Sequence, residues 1–488
     1  MNTETILLLS ILVIPVGMAL FLVLARRVVS GLAGWLTLTA AGLTLACTLA
    51  LLPLLNKGLE PRLDLPWLPQ AGIHLILHVD WLTFPFLVTE ALVTLFAAIY
   101  ALGYVHRDER TPYFYALLLA FAVGMSGTTL ADSVFLFYFF WELMLIASCI
   151  LILVWGEGKN TGAVALKYFL ITHLGSLLVL VGLIVLYDAA GSDSFVVLRS
   201  GLVLAPATVK IITTMFLIGF GIKMAIFPLH IWLPDAHSIA PMPVTIMLAA
   251  AMLSMGVYGI LRFPLSIFSL AEMTGFALPL MIAGLISQIY GALMALAEQD
   301  IKRVIAYSSV SQMGYILFGV GTLTHEGLAG ATLHVIYHGV VKALLFMCVG
   351  LVIHATGKRQ ISSLGGLLKS MPLAAVCAAV GVLAITGVPM LAIFSSEWMI
   401  FSGGFHTLYP GLTIVMVLCS LLTVAYGLRF FTSIFLGETD AGQTLIRIPP
   451  AMHLPTVVLA VLTLLAGLFP APVFAWIEQE LRLILGGL

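Results

Sequence analysis

The most informative segment of this chain is Gly219-Phe220-Gly221-Ile222-Lys223-Met224-Ala225-Ile226-Phe227-Pro228. It lies in an apolar run long enough to cross a bilayer, which takes about 20 residues. A proline inside a helix removes a hydrogen bond and clashes with the preceding turn, and a lysine at mid-membrane costs at least about 2.5 kcal/mol. The segment therefore predicts a membrane-spanning helix that is broken beside a buried charge.

The composition of the whole chain also places it in a membrane. Hydrophobic residues make up 61% of its 488 residues and charged residues only 9%, whereas a soluble protein has about 25% charged residues. So little polar surface cannot form the polar shell of a soluble domain. The composition excludes a soluble enzyme, a disordered chain and a basic nucleic-acid binder.

We predict an all-α integral membrane protein with about 14 transmembrane helices, because this many apolar runs are long enough to span a bilayer. The loops between them are short and hold most of the charge, which leaves no room for a soluble domain. The runs lie near 5–24, 31–52, 81–102, 113–131, 132–154, 165–188, 208–228, 242–263, 274–295, 303–322, 329–353, 372–403, 411–436 and 454–474.

The lysines and arginines predict which way the chain crosses the membrane. Thirteen of them, including Arg26 and Arg27, lie on the side reached after odd-numbered runs, and six lie on the other side. Because positively charged loops stay on the cytoplasmic side, we predict a multi-pass protein of the cell inner membrane with both termini on the outer, periplasmic side. The first run follows Met1–Thr5 without a basic region, which is typical of a first span rather than a cleaved signal peptide.

A second break is predicted at Gly387-Val388-Pro389, in the twelfth run. The two broken runs are five runs apart, so the breaks coincide if runs four to eight and nine to thirteen are repeats. A five-helix unit ends on the opposite side of the membrane from its start, and consecutive copies are then inverted, as in many transporters. Because groups freed at a break need protein or water as partners, we expect each break to line a wet interior.

The predicted organisation is a single transmembrane domain over 1–488. Its parts are a three-helix N-terminal part (1–112), a first inverted repeat (113–263), a second inverted repeat (274–436), and a last span with a short tail (437–488).

Ionisable residues in the middle of the spans form the candidate site. Charges at this depth mark ion pathways and proton relays, and histidine, like desolvated lysine, can titrate near neutral pH. His334, His338 and Lys342 are four residues apart and share one helix face, so we interpret the set as a wire for protons. The alternative is that charged pairs hold the helices together. Glu90 and His173 fit satisfied core residues better than members of a relay. The candidate proton-transfer residues are Glu142, Lys223, His338, Lys342 and Glu397, with His334 as a possible auxiliary.

No cofactor-binding or metal-binding motif is recognisable in the chain. Its five cysteines lie in apolar runs without a CxxC pair, which is not the pattern of an iron–sulfur cluster, a zinc site or a disulfide framework. The nucleotide-binding patterns GxxxxGK[ST] and GxGxxG and the zinc motif HExxH are not found either. The histidines of the eleventh run could in principle bind a metal or haem, but no facing pair is evident. We expect no cofactor, no metal and no nucleic acid for this chain.

Four motifs resemble the proton-conducting antiporter-like family. They are Phe139-Phe140-Trp141-Glu142-Leu143-Met144, Gly221-Ile222-Lys223-Met224 followed by Pro228-Leu229-His230-Ile231-Trp232-Leu233-Pro234-Asp235-Ala236-His237, the segment from Asp300 to Ser311, and His338-Gly339-Val340-Val341-Lys342-Ala343-Leu344. That family comprises antiporter-like subunits of respiratory complex I, related subunits of membrane-bound hydrogenases, and large subunits of Mrp cation/proton antiporters. The length and short tail are more similar to the chain M (chain 4) type of complex I.

The resemblance implies a role for each candidate residue. Glu142 would pair with Lys223, and Lys223 would carry the proton on the input side. His338 and Lys342 would belong to a central polar axis, and Glu397 would deliver the proton to the outside. His230, which lies within the second motif, is a further possible auxiliary residue.

Two positions depart from the family pattern. The eighth span has Ser254 where relatives usually have a lysine, and the tenth has Gln312 where they have a histidine. Lys342 could replace one missing group, or waters held by Ser254, Tyr258 and Gln312 could bridge the gap. Both alternatives stay open at this stage.

Three functions fit the sequence. The first is a proton-translocating subunit of a redox-driven membrane complex, with further antiporter-like subunits and peripheral redox subunits as partners that hold any iron–sulfur, flavin or nickel–iron cofactor. The second is a subunit of an Mrp-type antiporter, and the third is a spacer with an inactive channel. Neither the electron donor nor the choice between protons and sodium can be read from the residues.

Overall fold

A computed structural model describes residues 3–68, 70, 73–438 and 445–484. Thirteen of its helices are long and apolar enough to cross a membrane within these residues. The predicted twelfth span is present as two shorter helices, Pro372–Ile385 and Ala392–Phe405. The predicted all-α fold of about 14 membrane helices is thereby confirmed, and the chain is a multi-pass membrane protein. In order, the uninterrupted spans are Thr3–Leu24, Ala33–Leu55, Thr83–Tyr104, Thr111–Leu130, Val134–Trp155, Thr161–Ala190, Pro206–Met224, Met242–Ile267, Leu270–Ala297, Ile301–Gly321, His325–Thr356, Pro410–Phe435 and Pro450–Leu468. Below, spans are numbered one to fourteen in this order, with the broken helix as the twelfth.

The seventh span ends directly after Lys223, as the sequence predicts. Ala225 adopts a left-handed conformation with a φ of 58°, and a short helix, Leu233–Ile239, follows the break. Neighbouring side chains bind backbone groups on either side of the break: the Trp232 indole donates to the Ile222 carbonyl at 2.9 Å, and the Phe227 amide donates to Ser287 Oγ at 3.2 Å. Protein groups therefore supply partners for these two backbone groups, and the wet lining of the break stays a prediction.

The twelfth span breaks at the predicted place. Gly387 and Met390 have positive φ angles of 68° and 69°, and the Gln312 side chain donates to the Ile385 carbonyl at 3.4 Å. A glycine suits such a backbone because it has no Cβ to clash. Each break thus lies in the fourth helix of its predicted five-helix unit. The inversion of the two units and the division of the chain into four parts stay predictions.

The apolar core of the eighth span is wholly buried. It contains a π-helical turn, Leu248–Met252, a feature that is frequent at functional sites. Glycines allow close contact on either side: a Cβ on Gly256 would lie 2.6 Å from the Phe220 carbonyl oxygen, and one on Gly339 would lie 2.6 Å from the Ala250 carbonyl oxygen. The eighth span is therefore packed directly between the seventh and the eleventh.

A two-stranded hairpin lies between the second and third spans and was not predicted. Strand β1 (Arg62–Leu68) pairs antiparallel with β2 (Ile73–His78). The hairpin contacts the start of the fifth span, where the Ile76 carbonyl accepts from the Asp132 amide at 2.9 Å and Arg62 pairs with the Asp132 carboxylate at 3.1 Å. The alternation of polar and apolar residues at the start of β1 is the sequence pattern from which this strand could have been predicted.

The shorter elements complete the described chain. A helix, Ala471–Ile484, follows the last span and places Trp476 edge-on against Phe84, with 5.2 Å between ring centroids. The remaining short elements are Arg26–Val29, Phe195–Arg199 and the 3-10 turn Ile361–Ser363.

A buried ion pair joins the loop before the third span to the eighth span. Arg262 donates to both Asp80 carboxylate oxygens, at 2.6 and 2.8 Å, and also to Thr83 Oγ1 at 2.6 Å. Burial acts to raise the pKa of Asp80, but the charge and hydrogen bonds of Arg262 outweigh it and hold that pKa well below its usual range. The pair is therefore ionised and is a structural contact.

We expect Asp80→Asn to destabilise the protein strongly, because it leaves the Arg262 guanidinium buried without its counter-charge, a loss that costs about 3–5 kcal/mol for buried pairs. The measurement is thermal unfolding of the purified protein in detergent. Asp188→Asn, an exposed aspartate at the end of the sixth span, is the matched control and should leave the melting temperature unchanged. Equal melting temperatures for wild type and Asp80→Asn would contradict the assignment.

Candidate functional site

The first group of candidate residues lies on the fifth, sixth and seventh spans. Glu142 Oε2 lies 3.1 Å from His173 Nδ1. The Lys223 ammonium lies over the Trp141 ring, 5.1 Å from its centroid, and Trp141 is held by a 2.9 Å hydrogen bond from its indole to Ser176 Oγ. Glu142 is close enough for its charge to act on Lys223.

The direct Glu142–Lys223 pair implied by the resemblance is not formed. Among the described residues, Lys223 Nζ makes no hydrogen bond, and neither does Glu142 Oε1. His173 is instead the partner of Glu142. The Glu142 and His173 side chains are 17% and 35% exposed, so this pair reaches the lateral surface of the protein.

The second group lies on the eleventh span, where the predicted stripe is present and buried. Lys342 Nζ donates to the Ile305 carbonyl at 3.1 Å and to the Ser308 hydroxyl, both on the tenth span. Within the described part of the chain, His338 Nε2 makes no hydrogen bond. The charge of Lys342 acts on both His338 and His334, which places the three in one electrostatic cluster.

A chain of hydrogen bonds connects this stripe to the second break. His334 contacts Gln312 Oε1 at 2.8 Å through Nε2 and Ser396 Oγ at 3.1 Å through Nδ1. Gln312 in turn binds the Ile385 carbonyl at the break. His334, Gln312 and Ser396 therefore form one hydrogen-bonded cluster, which ends one residue before Glu397 in the chain.

Glu397 itself lies against the broken backbone of the twelfth span. A Cβ built on Gly387 would clash with Glu397 Oε2. The other oxygen, Oε1, is buried and makes no hydrogen bond to any described residue. The break thus provides the space that the carboxylate occupies.

The remaining auxiliary candidates fall in different places. The Ser254 hydroxyl donates to the Ala251 carbonyl of its own helix. Tyr258 donates to the Thr129 carbonyl at 2.8 Å and accepts from Arg262 at 3.0 Å, so it belongs to the Asp80 cluster and not to the central axis. His230 lies in the first break, with its ring 4.8 Å from that of Tyr290.

Glu90 is buried and separate from the relay groups. Its Oε1 accepts a 2.5 Å hydrogen bond from Thr129, while Oε2 makes none within the described chain. The contact with Thr129 does not connect Glu90 to the relay residues, and it leaves one carboxylate oxygen without a hydrogen bond among the described residues.

Two further buried groups were not proposed from the sequence. The His237 ring stacks on Phe346 with centroids 5.4 Å apart, and neither ring nitrogen hydrogen-bonds to a described residue. Lys302 and Lys342 both act on His237 electrostatically. Lys302 Nζ donates to the Ala240 carbonyl at 2.5 Å and lies 3.8 Å from the Glu157 carboxylate. His237 therefore lies between the basic side of the protein and the central stripe; its place in the quoted motif was the available signal.

The motif residue Asp235 fixes the helix that follows the first break. Its two carboxylate oxygens bind Lys167 at 2.7 Å and Arg303 at 2.8 Å. Arg303 also binds Glu298 at 2.8 Å. These pairs attach the broken region to the sixth and tenth spans, which explains why aspartate, lysine and arginine occur at these positions.

The arrangement can hold and pass protons, because its glutamate, lysine and histidine side chains accept or release a proton without making or breaking any other covalent bond. Four of them carry a buried polar atom with no partner among the described residues: Glu142, Lys223, His338 and Glu397. Unsatisfied buried groups in native proteins usually mark a functional role or a bound water.

Comparison with known families agrees with this arrangement. The transmembrane family described as NADH:quinone oxidoreductase/Mrp antiporter matches residues 131–423, more than half of the chain. The N-terminal family of complex I chain 5 matches residues 67–115. The chain belongs to the NADH:quinone oxidoreductase/Mrp antiporter family.

Individual relatives show the same membership. NAD(P)H-quinone oxidoreductase chain 4 of Synechococcus sp. JA-3-3Ab is 35% identical over 78% of this chain and 72% of its own length. NADH-quinone oxidoreductase subunit M of Escherichia coli is 32% identical over 90% of both chains. A chain of the Mrp complex from Dietzia sp. shares the fold, with a TM-score of 0.89 over 99% of this chain and 98% of its own, at 24% identity.

We expect Gly387→Ala to reduce proton transport to less than about half, because the new methyl group displaces the Glu397 carboxylate and strains a positive φ. Proton uptake by proteoliposomes that contain the assembled complex is the measurement. Gly411→Ala is the control, since a Cβ there meets no atom within 4 Å. Unchanged uptake in Gly387→Ala would show that the contact has no role.

Proposed function

We propose that this protein is the proton-translocating antiporter-like subunit of a redox-driven membrane complex. The observation that carries the proposal is the series of buried groups with unpartnered polar atoms that runs from Glu142 and Lys223 to His338 and Glu397 across two broken helices. An unpaired lysine or glutamate at this depth is too costly to persist without a task. Membership of the family supports the same conclusion.

The proposed path has two halves that meet at the eighth span. A proton enters near Glu142 and His173 and is held by Lys223. It then crosses beside Ser254 to the cluster of His338 and Lys342. From there, His334 and Gln312 connect to Glu397, which releases the proton on the opposite side.

The orientation follows from the charges of the loops. The side reached after odd-numbered spans is the more basic one and is proposed to be cytoplasmic. Both termini are then periplasmic, and the membrane is the cell inner membrane. Release from Glu397 is thus proposed to be outward.

A redox-driven complex is favoured over an Mrp-type antiporter because the relatives at 35% and 32% identity are named as quinone oxidoreductase subunits. The likeness to the Mrp chain shows the fold alone. Redox cofactors are proposed to reside in partner subunits. Protons are preferred to sodium because the unpartnered groups include a lysine and a histidine, whose nitrogens bind protons and not sodium ions. Proton uptake that requires electron donor and quinone would support this choice, whereas sodium-dependent uptake without a donor would favour the Mrp alternative.

We expect Lys223→Ala to abolish proton uptake or reduce it more than about tenfold while the complex still assembles, since the lysine makes no hydrogen bond whose loss would destabilise the fold. The test is donor-driven proton uptake in proteoliposomes, with subunit content checked by gel. Lys210→Ala, an exposed lysine on the same helix, is the control and should behave as wild type. Normal uptake by Lys223→Ala would exclude the proposed relay and leave the spacer alternative.

The group that replaces the missing lysine of the eighth span can be identified by comparing two variants. Because the Ser254 hydroxyl is bound to its own helix and Lys342 acts electrostatically on both histidines, we expect Lys342→Ala to reduce proton uptake much more than Ser254→Leu. The same uptake assay gives the order. The reverse order would show that water beside Ser254, and not Lys342, carries the proton across the centre.

A further inference from the structure

A cavity of about 920 Å³ lies at the basic end of the first and third spans. It is lined by Arg26 and Arg27 from the short helix after the first span and by Arg107 and Arg110 from the loop after the third. Among the described residues, none of these four arginines forms an ion pair, which requires a carboxylate oxygen within 4.0 Å of a guanidinium nitrogen. Four like charges that share a cavity repel one another, so the cavity is built for a negative ligand.

The acidic residues of the cavity do not neutralise these arginines. Asp108 is used in the turn, where its Oδ1 accepts from the Arg110 amide at 2.9 Å and from Thr111 Oγ1 at 3.0 Å. With Glu109, the lining carries four positive and two negative side chains. Arg26 is held over the Tyr113 ring, 5.6 Å from its centroid, which leaves its N–H groups available to a ligand.

The surroundings of the cavity indicate that this ligand carries acyl chains. Leu24 and Val28 flank the arginines and are each 84% exposed, and Trp35 is 55% exposed. Apolar side chains next to arginines at the end of a membrane helix match the boundary between headgroups and acyl chains, where tryptophan is enriched.

We propose that this cavity binds the headgroup of an anionic phospholipid with two phosphates, such as cardiolipin. Guanidinium groups bind phosphate oxygens through paired hydrogen bonds, and basic pockets between membrane helices are known to hold such headgroups. The arginines come in two pairs from two separate elements, which matches two phosphates better than one. The volume lies within the 300–1,000 Å³ range of small-molecule sites. None of these residues belongs to the proton relay.

The test is lipid binding to the purified, delipidated full-length chain, measured by native mass spectrometry with cardiolipin, phosphatidylglycerol and phosphatidylcholine. Each arginine near a phosphate contributes about fivefold in affinity. We expect one cardiolipin to bind about tenfold or more tightly than phosphatidylcholine, and Arg27→Gln/Arg107→Gln to lose that preference. Lys159→Gln/Lys369→Gln removes the same charge from exposed positions and should bind as wild type. Arg107→Lys keeps the charge without the paired hydrogen bonds and should lie between wild type and Arg107→Gln.

Several results would overturn the proposal. Equal affinity for phosphatidylglycerol and cardiolipin would exclude the two-phosphate headgroup, and displacement of cardiolipin by inorganic phosphate alone would exclude a lipid site. An equal loss in the lysine control would show only general attraction of charge. Unchanged lipid binding with loss of a partner subunit in Arg27→Gln/Arg107→Gln would assign the cavity to an acidic protein segment. Lost lipid binding with normal proton uptake leaves the proposed function intact, so the two claims fail separately.

Discussion

In a bilayer, every backbone group freed by a broken helix needs a partner, and this requirement links the breaks to the polar interior. At the first break, the Ile222 carbonyl is bound by Trp232; at the second, the Ile385 carbonyl is bound by Gln312. Gln312 also binds His334. At the second break, the residue that stabilises the backbone is therefore also a member of the hydrogen-bonded cluster of His334 and Ser396, so that the fold and the proposed pathway share contacts there.

The charged residues of the molecule divide into two kinds. Near the ends of the spans, ions are paired at short distance: Asp80 with Arg262, and Asp235 with Lys167 and Arg303. At mid-membrane, Lys223 and Glu397 keep polar atoms without partners among the described residues. Paired ions hold helices in place, and the buried Asp80–Arg262 pair resists a change of protonation, because its ionised partner would be left buried. Unpaired groups can change protonation at lower cost, which is what a relay needs.

The helix content, the number of spans and the two breaks could be predicted, because the length of an apolar run and the position of a proline determine the local backbone structure. Lys223 and Glu397 could be found for a similar reason, since a charge in an apolar run is visible in the sequence. The hydrogen-bond partners of these groups could not be predicted. Glu142 on the fifth span binds His173 on the sixth, and periodicity carries no information on which helices touch. The β1–β2 hairpin was missed because a strand of six or seven residues gives a weak signal beside long apolar runs. The bond from Tyr258 to the Thr129 carbonyl of the fourth span could not be predicted either, because it joins residues far apart in the chain.

The central claim is that protons cross the layer formed by the eighth span, between Lys223 on one side and Lys342 on the other. The most direct measurement is a cryo-electron microscopy map of the assembled complex during turnover, at a resolution that shows ordered water. The account predicts a continuous series of waters from Lys223 to His338 and Lys342 in at least one state. A layer filled by side chains, without water in every state of the cycle, would contradict it.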